Sequence, residues 1–179
     1  MILISLLLMQ AAYAPETEAV MNRSREKVEQ QRAEQAKATQ PKQATPAGLP
    51  LPPEAAVKLQ ACLDVAINDP EAGVRFAQDW ALDGGGFSAS QCRGFAEARA
   101  GRWQAAMGAF EAAANQAQKA GSARDAARLL AQAGNAALAD GNAQQARGYF
   151  DAALGHGLPD GIEKGEVHLD RARALVMAG

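Results

Sequence analysis

The chain divides into three parts by its pattern of apolar and polar residues. Residues 1–9 are apolar except for one serine, Gln, Glu, Lys and Arg dominate residues 16–42, and a proline-rich run follows up to residue 53. From residue 54 onward, apolar residues mix with polar ones, and helix start and stop signals recur at short intervals. These signals predict seven helices between residues 54 and 177.

Individual residues mark where these helices begin and end. Asp69 and Pro70 predict the start of the second helix, because aspartate caps a helix and proline fits its first turn. Ser88, followed three residues later by Gln91, has the spacing of a capping box and predicts the start of the third helix. The third, fourth and fifth helices are each expected to end at a glycine, namely Gly101, Gly121 and Gly141.

The composition favours helices that pack through small side chains. Alanine supplies roughly a quarter of all residues, whereas aromatic residues make up 5%. Because alanine favours helices and adds little side-chain volume, we predict an all-α fold with close helix contacts. The 18 Lys and Arg nearly balance the 20 Asp and Glu, so no nucleic-acid partner is expected.

The first 14 residues have the form of a signal peptide, since an apolar stretch leads to the small-residue ending Ala12-Tyr13-Ala14. About a dozen apolar residues are too few to span a membrane, which takes about 20. We therefore expect export to the periplasm or beyond the cell. The cleavage site stays open, because Pro15 directly after it would fit a protease poorly.

A polar and then proline-rich linker, disordered or partly helical, is predicted for residues 15–53. Within this linker, residues 22–42 include six basic and three acidic residues. Solvation accounts for this local excess of positive charge. Weak contact with an anionic membrane surface is the alternative interpretation.

A repeat with an offset of 40 residues is the strongest signal in the sequence. It pairs four glycine, alanine and aromatic positions: Gly101 with Gly141, Ala106 with Ala146, Phe110 with Phe150, and Ala113 with Ala153. Gly94 and Gly134 each stand seven residues before a turn glycine, and Ala172 stands seven residues before Gly179. Small residues let helices approach each other, and the aromatic residue fills the groove between them.

This series resembles the tetratricopeptide repeat family, whose motif places a small residue in one helix and an alanine, an aromatic residue and an alanine in the next. The resemblance covers residues 88–179, with the last repeat incomplete, and implies a solenoid of antiparallel helix pairs. Spacings longer than the family's usual 34 residues imply elongated helices. Residues 54–87 lack the motif, and we expect them to form a divergent helix pair that covers one end of the array.

The resemblance also implies a binding surface, because the first helix of each pair lines a concave face that holds a peptide. The residues expected there are Gln91, Phe95, Arg99, Arg128, Ala131, Gln132, Asn135, Leu169 and Arg173. Asn135 matches an asparagine that such grooves use to hold a peptide backbone. The arginines would favour a ligand that carries carboxylates. The alternative for each of these residues is a solvated surface position of a repeat protein without a binding role.

Two cysteines are the other notable residues, and the helix-pair arrangement places Cys62 and Cys92 on neighbouring helices of one face. A disulfide between them is the prediction, and two buried reduced thiols are the alternative. A redox centre is disfavoured because the chain has no C-x-x-C pair. His156 and His168 each lack a second ligand at helical spacing, so no metal site is predicted.

No nucleophile and base can be assembled from the sequence, so we predict no catalytic residue and no cofactor. The expected function is a non-catalytic adaptor or scaffold of the bacterial cell envelope that binds a protein or peptide of open identity. The alternative function is that of an N-terminal structural part of a longer solenoid or multidomain protein. In that case the functional part would lie beyond residue 179.

Overall fold

The computed structural model describes residues 22–32 and 52–179. The signal peptide predicted at residues 1–14 and most of the linker predicted at residues 15–53 lie outside these ranges. Residues 22–32 belong to a separate unit, and they are helical and exposed along their whole length. Within the two described ranges, no helix combines the length and the apolar character needed to cross a membrane.

Residues 52–179 form seven α-helices, as the sequence predicts, and this range contains no strand. The helices are α1 (Pro53–Asn68), α2 (Pro70–Leu82), α3 (Gly86–Arg99), α4 (Trp103–Lys119), α5 (Ala123–Ala139), α6 (Ala143–Gly155) and α7 (Ile162–Ala178). Each helix packs against the next one along the chain, and α1 also contacts α3. Short turns reverse the chain between neighbours, so the fold is an all-α solenoid of antiparallel helices.

The helix starts agree with the sequence signals at Asp69 but not at Ser88. The Asp69 carboxylate accepts the backbone N–H of Ala72 at 3.0 Å and so caps α2. By contrast, α3 begins two residues before Ser88, whose side chain is buried in the first turn and caps nothing. Gly85, the residue before α3, lies against the ring of Trp80, where an added Cβ would be 2.6 Å from Cδ1. α3 starts directly after this turn, earlier than the capping-box spacing predicts.

One backbone motif ends four of the helices. After α2, α3, α4 and α5 a glycine with φ between 71° and 82° reverses the chain, namely Gly84, Gly101, Gly121 and Gly141. The N–H of the next residue then bonds the carbonyl five residues back, as Arg102 does to Glu97 at 2.9 Å. This arrangement satisfies carbonyls that the helix end would otherwise leave free, and it requires a backbone conformation that glycine adopts most readily.

The main core depends on two contacts between an aromatic ring and a glycine. Phe110 of α4 lies against Gly94 of α3, and Phe150 of α6 lies against Gly134 of α5. A Cβ added to either glycine would lie 2.6 Å from the ring. Both rings are buried, and most of the buried residues around them are alanines. The sequence repeat thus corresponds to one ring-on-glycine contact in each helix pair.

A second, smaller core joins the first three helices around Cys62 and Cys92. The two cysteines lie at disulfide distance, with their Cα atoms 6.1 Å apart, and neither side chain is exposed. Gly73 of α2 lies beside them, and a Cβ added there would be 2.5 Å from the Cβ of Ala66 on α1. The divergent helix pair therefore also packs through small residues.

The last helix exposes an apolar face. Ala172 of α7 corresponds to Gly134 of α5, because each stands seven residues before a glycine. Whereas Phe150 covers Gly134, Ala172 is exposed and shares an apolar surface with Leu138, Leu169, Val176 and Met177. Within residues 52–179, no other helix covers this face.

Adding a methyl group to Gly134, which lies under the ring of Phe150, is expected to destabilise the fold. We expect Gly134→Ala to lower the free energy of unfolding by about 1–3 kcal/mol, because the new methyl group overlaps a buried ring. The control is Gly148→Ala on α6, where nothing lies within 4 Å of an added Cβ. That change is expected to be neutral or to stabilise by up to about 1 kcal/mol through helix propensity.

The free energies of unfolding of both variants are measured by urea titration, with circular dichroism as the signal. Equal stability of Gly134→Ala and Gly148→Ala would contradict the ring-on-glycine contact as the basis of the core.

Candidate functional site

The first helix of each successive pair contributes to one concave surface. We call it the inner groove: a cleft of about 430 Å³ lined by side chains from α1, α3, α5 and α7 and from the loop before α7. Its floor is apolar and consists of Leu59, Leu129, Ala131, Leu158 and Val167. Leu129, Leu158 and Val167 are buried, so the floor continues the hydrophobic core of the array.

The polar lining follows helical spacing on α5 and α7. On α5 it consists of Asp125, Arg128, Gln132 and Asn135, and on α7 of Glu163, Glu166 and Asp170. Residues three or four positions apart lie on one face of a helix, so each set forms a single row along the groove. α3 adds Gln91 to this lining.

Three amides of the lining have free hydrogen-bonding capacity. Within residues 52–179, the side chains of Gln91, Gln132 and Asn135 make no hydrogen bond to another part of the protein, unlike Asn142, whose carbonyl oxygen caps α6. A side-chain amide can donate two hydrogen bonds and accept two more. These groups are therefore available to pair with the N–H and C=O groups of a bound chain.

A bridge of charged residues joins α5 to α7 at the groove. The Glu163 carboxylate accepts hydrogen bonds from the guanidinium of Arg128 and from Nη2 of Arg124, the latter at 3.1 Å. Arg128 also lies 3.7 Å from the Asp125 carboxylate. The hydrogen bond from Arg128 lowers the pKa of Glu163, against the opposing effect of partial burial, and the hydrogen bond to Glu163 raises the pKa of Arg128.

This bridge changes the expected role of Arg128. Sequence reasoning offers its guanidinium to a ligand carboxylate, but in the structure Glu163 and Asp125 already engage it. A ligand carboxylate would have to displace Glu163 from two arginines. The expectation of a carboxylate-bearing ligand is therefore not supported by this arrangement.

The inner groove brings together part of the predicted binding set. Gln91, Arg128, Gln132 and Asn135 line it together with Ala131.

The other residues predicted for the binding surface lie outside the groove. Phe95 is partly buried against the core, Arg99 donates to the Ile67 carbonyl at 3.4 Å, and Arg173 pairs with Asp170 at 2.6 Å. Leu169 belongs to the exposed apolar face of α7.

Sequence reasoning missed the acidic row of α7 and the floor residue Leu59. The spacing of Glu163, Glu166 and Asp170 was a usable signal, because it places three carboxylates on one helix face. Leu59 gave no such signal, since α1 lies in the divergent pair that lacks the repeat motif. Its place in the groove follows from the packing of α1 against α3.

The described residues show no arrangement suited to a metal. Across residues 22–32 and 52–179, no three His, Cys, Asp or Glu side chains come together in a metal-binding cluster.

No family model, no curated protein and no solved structure matches the chain. The side chains that line the groove are therefore the only guide to what it binds. The tetratricopeptide resemblance stays a prediction.

The bridge between α5 and α7 is expected to weaken in acid. A carboxyl group whose pKa is lowered on folding stabilises the fold fully above its unfolded pKa, here about 4.5, and the stabilisation is lost as the pH falls through the lowered value. We expect Glu163→Gln to lower the free energy of unfolding at neutral pH by about 0.2–1 kcal/mol, as for other exposed ion pairs. The deficit relative to wild type is expected to disappear in acid.

Urea titrations at a series of pH values measure this difference. The control is Glu166→Gln, which removes a carboxylate from the same helix without breaking a bridge and is expected to stay close to wild type. A deficit of Glu163→Gln that is constant from neutral to acidic pH would show that the bridge does not stabilise the fold through charge.

Proposed function

We propose that the chain is a non-catalytic adaptor that holds a peptide segment of a partner protein in the inner groove. The single observation that carries the proposal is the combination, in one cleft, of an apolar floor and three amides without intramolecular partners. A peptide supplies both matching components, because its side chains can bury apolar surface and its backbone offers donors and acceptors. Paired in this way, the three amides keep hydrogen-bond partners when a bound peptide excludes water from them.

The chemistry of the lining supports a binding role over a catalytic one. Among the described residues that line the groove, none is Ser, Cys, His, Lys or Tyr, the side chains that most often serve as nucleophiles. Its carboxylates at positions 125, 163 and 170 are paired with arginines. A carboxyl group with a lowered pKa, such as that of Glu163, is also a poor general acid or base near neutral pH.

Removing two of the free amides is expected to weaken peptide binding without unfolding the protein. We expect the double variant Gln132→Ala/Asn135→Ala to bind groove peptides about tenfold more weakly, since each neutral hydrogen bond contributes about 0.5–1.5 kcal/mol. The peptides come from a random twelve-residue library displayed on phage and selected on the wild-type protein. Calorimetry on synthetic copies of the selected peptides measures their affinities.

A matched control removes two amides from an outer helix. Gln104 and Gln118 are exposed on α4 and do not line the groove, so Gln104→Ala/Gln118→Ala is expected to bind like wild type. If the selected peptides bind the groove variant as tightly as they bind this control, the groove is not the binding site.

We also propose that the protein works in an oxidising compartment of the bacterial envelope. Two observations support this location: the sequence of residues 1–14 and the buried cysteine pair at disulfide distance. Stable disulfides form in exported proteins and are rare in the cytosol. A bridge across some thirty residues would stabilise the fold by about 3.5 kcal/mol in the chain-entropy model, a large contribution for an alanine-rich core.

Intact mass spectrometry after expression in a Gram-negative host is expected to show export and the disulfide together. The envelope fraction should contain a product that has lost its first residues. After denaturation without reductant this product should take up no thiol-alkylating reagent, and after reduction it should take up two labels. The control is the Cys62→Ser variant, which keeps one thiol and should take up one label whether or not it is reduced. A full-length cytosolic product with two free thiols would overturn the proposed location.

A further inference from the structure

One carboxylate of the inner groove has no counter-ion among the residues that the structure describes. Asp125 and Glu163 share Arg128, Glu163 is also bound by Arg124, and Asp170 pairs with Arg173. Four carboxylates and three arginines make up this charged set, so one negative charge is left over. It belongs to Glu166, which lines the groove and makes no ion pair or side-chain hydrogen bond in the described part of the chain.

The position of Glu166 makes this charge sensitive to what occupies the groove. The side chain is exposed to water in the free protein, and it lines the same cleft as the buried floor residue Val167. A ligand that covers the floor therefore also removes water from around Glu166. Desolvating an unpaired carboxylate is costly, whereas a cation placed opposite it compensates for the lost water.

We propose that the inner groove selects a peptide that carries a lysine or arginine opposite Glu166, with apolar residues beside it that contact the floor. The proposal rests on the function proposed above, since it names the chemistry of the peptide that the same groove binds. It assigns to Glu166 the role of a specificity-determining residue. The bridge residues Arg128 and Glu163 serve instead to join α5 to α7.

Charge discrimination follows directly from this arrangement. A neutral peptide would leave Glu166 buried without a partner, and an acidic peptide would bring two like charges together. The paired carboxylates add little selectivity, because an arginine already neutralises each of them. Discrimination should therefore depend on a single side chain, and replacing that side chain should change which peptides bind.

The test uses the same random twelve-residue peptide library, selected separately on the purified full chain and on two Glu166 variants. On the wild type, we expect peptides enriched in lysine or arginine next to apolar residues. Their affinity is expected to fall about tenfold on Glu166→Gln and to fall with rising salt concentration. On Glu166→Lys, the selected peptides are expected to be enriched in aspartate or glutamate instead.

The control for loss of one negative charge is Asp79→Asn, because Asp79 is exposed on α2 and does not line the groove. This variant is expected to select and bind the same peptides as wild type. Stability measurements on all three variants check that each one is folded.

The outcomes separate the two proposals. Peptides that depend on Gln132 and Asn135 but show no enrichment in basic residues, or that bind Glu166→Gln as tightly as wild type, would overturn the role of Glu166 and leave the groove in place. If no selected peptide depends on groove residues, both proposals fail. A reversed charge preference on Glu166→Lys supports both.

Discussion

Close approach of helix backbones is the constraint on which the rest of the structure depends. A chain in which roughly a quarter of the residues are alanine has little side-chain volume with which to fill space between distant helices. The helices must therefore lie near each other, and glycine at positions 94 and 134 gives the two aromatic rings room to insert. With only 5% aromatic residues, each buried ring contributes a large share of the apolar contact in its pair.

This constraint also explains where a binding surface can form. Because the second helix of each pair covers the small-residue face of the first, the first helix keeps another face free for polar side chains. On α5 that face carries Asp125, Arg128, Gln132 and Asn135, while Leu129 between them reaches the core. The groove is thus the uncovered side of the same helices that build the core, and its floor and the core share residues.

Much of the fold could be predicted from local signals, and much of the site could not. The seven helices, the turn at Gly101 and the cap at Asp69 depend on short-range backbone preferences, which a single sequence carries. The start of α3 was missed because the capping-box spacing of Ser88 draws attention away from an earlier start at Gly86, directly after the turn in which Gly85 lies against Trp80. Likewise, the sequence shows Arg128 as a free cation, because its partner Glu163 is 35 residues away and becomes its neighbour only in the folded chain.

Neighbouring helices are held together differently in the repeats and in the divergent pair. The repeats use a ring on a glycine, which is strong only when the ring is large and fully enclosed. The divergent pair has no such ring between α1 and α3, and the cysteine pair occupies that interface instead. Cys62 and Cys92 are among the largest fully buried side chains, and they lie at a junction of small residues, namely Ala66, Gly73 and Ala77. Since α1 supplies Leu59 to the groove floor, the packing of α1 against α3 also places that residue at the groove.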